Sequence, residues 1–178
     1  MEFLLLWHQN NIANLNNLYT NSLYTNYMNS NNLIDTKLGL LIWKVSNLWQ
    51  NLLRSALSEY ALTLNEYIIL ETLYVNSNDL ITQVDISKSS GVNISVISTT
   101  LDILQQKKLI YRKSSKDNRK KNIELTDQAK SLIKIIVPLI REVENDFFIK
   151  LGSEKEILTN SIKLILGKKI RIKADKKL

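Results

Sequence analysis

The residues of this chain best equipped for chemistry are cations gathered in one short stretch. Between Lys107 and Lys121 stand Lys107, Lys108, Arg112, Lys113, Lys116, Arg119, Lys120 and Lys121, against the single anion Asp117. Alternating apolar runs flank the stretch, Leu109 to Lys113 and Asn122 to Leu125. Leu109 and Tyr111 fall on one face of the first with Ile110 and Arg112 on the other, and Ile123 and Leu125 share a face of the second. That pattern predicts a β-hairpin. A hairpin tip with so much positive charge is badly suited to burial and well suited to a phosphate backbone. Other chemistry is thinly provided for. Cysteine is absent, which excludes disulfides, thiolate metal sites and thiol redox sensing, and the one histidine is His8. No metal or cofactor is expected. Glu142, Glu144 and Asp146 read as a solvated face rather than an acid/base pair. With four glycines and no phosphate-cradling loop, an enzyme ranks last among the function classes.

The elements that must position this hairpin lie immediately before it. Thr82-Gln83-Val84-Asp85 is a capping pattern that starts a short helix with Val84 and Ile86 on its apolar side. Ser89-Ser90-Gly91 ends it, with Gly91 the natural left-handed residue for a tight turn. Asn93 caps a second helix whose apolar face is Val96, Ile97, Leu101 and Leu104. Its polar residues Ser95, Ser98, Thr99, Asp102 and Gln106 fall largely on the other side. Two helices joined by a glycine turn and followed by a basic hairpin read as a winged helix-turn-helix. Upstream, Thr63-Leu64-Asn65-Glu66 forms another capping box, opening a helix with Tyr67, Ile68, Leu70, Leu73 and Tyr74.

Two longer helices bracket this lobe. The first carries one apolar stripe from Leu38 to Tyr60, with Asp35 as its expected N-cap. The second starts at Thr126 and Asp127 and runs from Ala129 to Leu151, with Pro138 expected to kink it and Gly152 to stop it. Ser153-x-x-Glu156 then opens a final helix using Ile157, Leu158, Ile162 and Ile165. Both long stripes are too wide for one winged lobe to cover, which predicts an obligate homodimer. Trp43, Trp49, Phe147 and Phe148 read as core or dimer packing. The fold expected is therefore mainly α with a small β-hairpin. It comprises an Asn-rich extension (1–34), a dimerisation helix (35–61), a winged helix-turn-helix lobe (62–126), C-terminal dimerisation helices (127–167) and a basic tail (168–178).

The extension is of another character. Ten of the first 32 residues are Asn, a mediocre helix former. It reads as a disordered arm, an added helix on a partner surface, or translation from a start upstream of Met28, and the last is favoured. Glu2 and Asp35 are the only charged residues among the first 36, so the net charge of +7 leaves +9 on the remainder. Nucleic acid is the leading partner class for such a balance, ahead of anionic membrane surface. No apolar run approaches the roughly 20 residues that span a bilayer. Phe3 to Trp7 is short and lacks a basic flank, so it does not read as a signal peptide. A cytoplasmic protein is expected.

The order of elements resembles the MarR family of dimeric bacterial transcription regulators. The likeness rests on Leu64-x-Glu66-Tyr67-x-Ile69-Leu70-x-x-Leu73 and Val84-x-Ile86-Ser87-Lys88-x-x-Gly91-Val92. It continues through Val96-Ile97-Ser98-x-x-Leu101-Asp102-x-Leu104-x-x-Lys107-x-Leu109-Ile110. Asp117-x-Arg119, followed by Leu125-Thr126-x-x-Ala129, is the most specific piece. The resemblance implies that Arg119 enters the minor groove, held in place by Asp117. It also implies response to a small aromatic or phenolic effector, although no residue pattern here marks a pocket. Two positions depart from the family. Thr99 stands where members commonly carry Arg, which removes a bidentate donor for guanine. Lys108 stands where glycine is usual before the first wing strand.

The function expected is a DNA-binding regulator, a repressor by preference, on a pseudo-palindromic operator. Ser95, Val96, Ser98 and Thr99 would meet base edges in the major groove, and Arg119 the minor groove. Lys88, Lys113, Lys116, Lys120 and Lys121 would hold phosphates. Asp102 either touches DNA or pairs with a nearby cation. The alternative is a winged-helix module that binds protein instead.

Overall fold

The computed structural model describes residues 37–77, 81–114 and 121–168. Six α-helices and one hairpin make it up: α1 (Leu38–Ser58), α2 (Leu64–Val75), α3 (Gln83–Ser90), α4 (Ile94–Gln106), β1 (Ile110–Ser114), β2 (Lys121–Leu125), α5 (Asp127–Phe148) and α6 (Glu154–Ile165). The chain divides into two units after Val143, inside α5. The expected N-cap Asp35, the Asn-rich extension and the tail from residue 169 lie outside the described residues, and Lys37 caps α1 without a side-chain bond.

The core of the first unit is built where the apolar spacings of its helices converge. Leu53 and Leu57 of α1, Tyr67, Ile69, Leu70 and Leu73 of α2, Ile86 of α3 and Ile97, Leu101 and Leu104 of α4 are all buried. From α5 come Ala129, Ile133, Ile136, Ile140 and Val143. Each large aliphatic side chain fully withdrawn from water contributes about 1.5–3 kcal/mol. Val84, expected on the apolar side of α3, is 48% exposed, which leaves Ile86 as the one buried residue of that short helix. The stripe of α1 is also only partly used. Its Leu38, Ile42 and Val45 are exposed, as are Leu40 and Trp43 outside the stripe.

The capping box of α2 forms as its sequence demands: Thr63 N donates to Glu66 Oε2 at 2.7 Å and Glu66 N to Thr63 Oγ1 at 3.3 Å. Thr126 closes the first turn of α5 by accepting from Ala129 N at 3.2 Å. Pro138 sits inside α5 without ending it. In the second unit a 3₁₀ turn, Ile149–Leu151, intervenes before Gly152, whose φ is +49°. The Ser153-x-x-Glu156 pattern does not cap α6. Ser153 is itself in the right-handed helical region, and its side chain makes no cap bond. Among the described residues no helix is long and apolar enough to cross a membrane.

Two helices end in the same way without glycine. At the end of α4, Lys108 N donates to Gln105 O and Leu109 N to Leu104 O. At the end of α1, Ala61 N donates to Ser58 O and Leu62 N to Leu57 O. These are Schellman closures, which require a left-handed residue at the corner. Lys108 takes φ +59° and Ala61 φ +52°, at about 1–2 kcal/mol each for a residue with a Cβ. The apolar residue that follows each corner, Leu109 or Leu62, is buried, and that burial offsets part of the strain.

Candidate nucleic-acid interface

The helix-turn-helix is fixed by short polar side chains. Thr82 and Asp85 cap α3 reciprocally, with Thr82 N to Asp85 Oδ2 at 3.0 Å. Gly91 makes the turn at φ +73°. Ser87 Oγ donates to Val92 O at 2.8 Å, and Gln83 Nε2 reaches Ile94 O at 3.2 Å. Asn93 Oδ1 then caps α4 by accepting from Ser95 N at 2.9 Å.

These supports leave the first turns of α4 uncovered. Ser95, Val96 and Thr99 are exposed there, Ile94 beside them is exposed too, and Ser98 is half-buried. The hydroxyls are not idle. Ser95 Oγ donates to Asn93 Oδ1 at 2.8 Å, and Thr99 Oγ1 donates to Ser95 O at 3.2 Å. Val96 and Thr99 add methyl groups to this exposed face. Lys88 is exposed in the last turn of α3.

The hairpin pairs Ile110 with Leu125, Arg112 with Ile123 and Lys113 with Asn122. Ile110, Ile123 and Leu125 are buried. Leu109 precedes β1 and is buried while Tyr111 is exposed, so the shared face that alternation predicts for them does not form. Arg112 is held to α4 by Asp102, Nη2 to Oδ1 at 2.7 Å, so Asp102 takes the ion-pair role of its two expected ones. On the outer face, Lys113 Nζ lies 2.8 Å from Glu124 Oε2 and 5.0 Å from the Tyr111 ring centre. The hydrogen bond from Lys113, with further ones from Tyr111 and Asn122, holds the Glu124 carboxyl below its ordinary range, and the same bond raises Lys113. Asn122 Oδ1 accepts from Ile81 N at 2.9 Å while Ile123 N donates to Ile81 O at 3.0 Å, which stitches the wing to the start of α3.

A second junction lies at the far end of α4. Lys107 Nζ sits 2.6 Å from Glu66 Oε1 and donates to Ala61 O at 2.7 Å. Glu66 is only 1% exposed. Burial works to raise its carboxyl, but hydrogen bonds from Lys107 and Thr63 outweigh it and hold the group below the usual carboxylate range.

The predicted site residues thus divide. Ser95, Val96 and Thr99 stand together on the open face of α4. Lys88 is exposed on the preceding helix, and Lys113 is engaged with an acid. Lys116, Asp117, Arg119 and Lys120, together with the Lys121 side chain, lie outside the described residues. Spacing gave Lys107 no role beyond the basic run, Asn122 none beyond the second strand, and Glu124 none at all. Strand alternation carried a signal for the last, since it puts Glu124 opposite Tyr111 and on the face of Lys113.

Comparison with known proteins gives a consistent picture. Residues 62–121 match the sequence model of the MarR family. YdcH of Bacillus subtilis, an uncharacterised HTH-type transcriptional regulator, is 24% identical over 134 residues, covering 74% of this chain and 91% of that protein. MepR of Staphylococcus aureus, in its complex with DNA, superposes with a TM-score of 0.69 at 27% identity, covering 74% of this chain and 97% of MepR. Apo MarR of E. coli, at 23% identity and a TM-score of 0.60 over 73% of this chain and 97% of that one, shares the fold.

Proposed function

Since the chain carries the winged helix-turn-helix of the MarR family, we propose that it is a transcription regulator that binds double-stranded DNA as a homodimer. The observation that carries this reading is the open first half of α4. It presents Ser95, Val96 and Thr99 beside a hairpin whose strands run into the sequence Lys116 to Lys121. An α-helix with such a face fits a major groove, and a cationic tip fits phosphates or a narrow minor groove. That MepR, similar to this chain, forms a complex with DNA supports DNA as the partner.

In this reading α4 reads bases, Arg119 enters the minor groove with Asp117 behind it, and Lys88, Lys116, Lys120 and Lys121 hold phosphates. The exposed stripe of α1, with the C-terminal helices, supplies the dimer contact. Two winged lobes then face half-sites about 34–36 Å apart on a pseudo-palindromic operator. Repression by occupancy of that operator, relieved by a small aromatic or phenolic effector, rests on the family resemblance.

The test is a titration of scrambled duplex DNA at rising salt. A regulator that neutralises several phosphates loses affinity steeply, with the logarithm of the binding constant falling linearly in the logarithm of salt. Absence of duplex binding at low salt rejects the reading in favour of a protein-binding winged helix. Selection from a random duplex pool then defines the operator.

A further inference from the structure

Two successive cations of β1 are each held by an acid of the chain itself. Arg112 is held by Asp102 of α4, and Lys113 by Glu124 of β2. In the second pair the two partners differ in their freedom to leave. Glu124 is tethered: its Oε1 accepts from Asn122 Nδ2 at 2.8 Å, and Asn122 is itself fixed by the Ile81 backbone. Lys113 is 60% exposed, and its long stem can swing the ammonium several ångströms. A phosphate near the wing can therefore draw the cation away, while the carboxylate stays where it is. Its negative charge is then uncompensated beside a polyanion.

We propose that Glu124 competes with DNA phosphate for Lys113 and thereby attenuates the sequence-independent part of DNA binding. The inference rests on the reading of the chain as a DNA binder. While Glu124 is charged, the pair brings no net charge to the duplex, so Lys113 displaces almost no counterion. Removing the acid turns Lys113 into a full phosphate ligand. Losing an acidic residue thus tightens binding through one particular lysine, and not merely by raising the net charge.

The experiment is a double-mutant cycle in the full chain, on a short scrambled duplex over a range of salt. Glu124→Gln keeps the shape of the side chain and a bond to Asn122, and Lys113→Met keeps the stem. Glu124→Gln is expected to tighten binding about three- to tenfold at low salt and to steepen the log–log salt slope by about 0.9. Lys113→Met alone leaves Glu124 bare and is expected to weaken binding, but by clearly less than in the Glu124→Gln background, where it abolishes the whole gain. Equal cost of Lys113→Met in both backgrounds overturns the proposal, because Glu124 then acts only as background charge. So does a Glu124→Gln variant that binds no more tightly. Thermal melts confirm folding, and Glu124→Ala replaces the glutamine variant in the cycle if the latter melts early. If the unmodified chain binds no duplex at any salt, the DNA-binding reading falls and this one with it; binding without the cycle's coupling removes this one alone.

Discussion

Glu66 shows how one side chain can serve two levels of structure. Its carboxylate completes the cap of α2 with Thr63 and also receives Lys107 from the end of α4. Its pKa in the folded chain is lowered, so the stabilisation it gives is complete above the unfolded glutamate value of about 4.3 and is lost as the pH falls through the lower folded value. Glu66→Gln should therefore flatten the acid limb of a stability–pH curve and leave the slope near neutrality unchanged. Lys107→Met leaves a buried carboxylate with its Thr63 bonds alone. It should cost about 1–3 kcal/mol at pH 7 and shrink the acid limb, because without the cation the folded pKa returns toward the unfolded value. Urea unfolding at a series of pH values checks both, and identical acid limbs for the unmodified and Glu66→Gln chains would refute the assignment.

At the level of the element, the corner at Lys108 is the clearest case of strain. A left-handed lysine ends α4 where glycine would do so freely. Lys108→Gly should raise stability by roughly 0.5–1 kcal/mol, whereas Lys108→Ala should not. Denaturant melts of the two variants decide it, and equal stabilities would mean that the corner is not strained. Both capping boxes and the turn at Gly91 were legible in the sequence, because each depends on residues within four positions of one another, whereas the corner at Lys108 was marked only by the family resemblance. The same local pattern misled at Ser153, where the spacing of a capping box is present but the backbone is already helical. What the sequence could not disclose were pairings between distant residues. Lys107 meets Ala61 across 46 positions and Asn122 meets Ile81 across 41. Neither has a period or a spacing to announce it, only a fold to bring it about. The open face of α4 fell between these cases. Helical periodicity placed Ser95, Val96 and Thr99 together, but not the hydrogen bonds that Ser95 and Thr99 make to Asn93 and to the Ser95 carbonyl.

For the molecule as a whole, the apolar surface left over is the strongest prediction. Trp43 is 64% exposed and Leu38 68%, on a helix that a dimer would cover. Trp43→Asp should yield a folded monomer, or a dimer weakened at least tenfold, in sedimentation at low micromolar concentration. A dimer of unchanged affinity would show that this part of α1 is not the interface. The attachment of the wing to Ile81 has a consequence of a different sort, one of order in time. Closing the hairpin brings together residues as near as Ser114 and Lys121, while docking it on Ile81 closes a loop of 41 residues. By loop entropy the second step costs about 1.5 kcal/mol more than the first. The hairpin should zip early and dock late. The segment enclosed by that late closure holds α3 and α4 entire, so both helices that the wing flanks lie inside the loop that closes last.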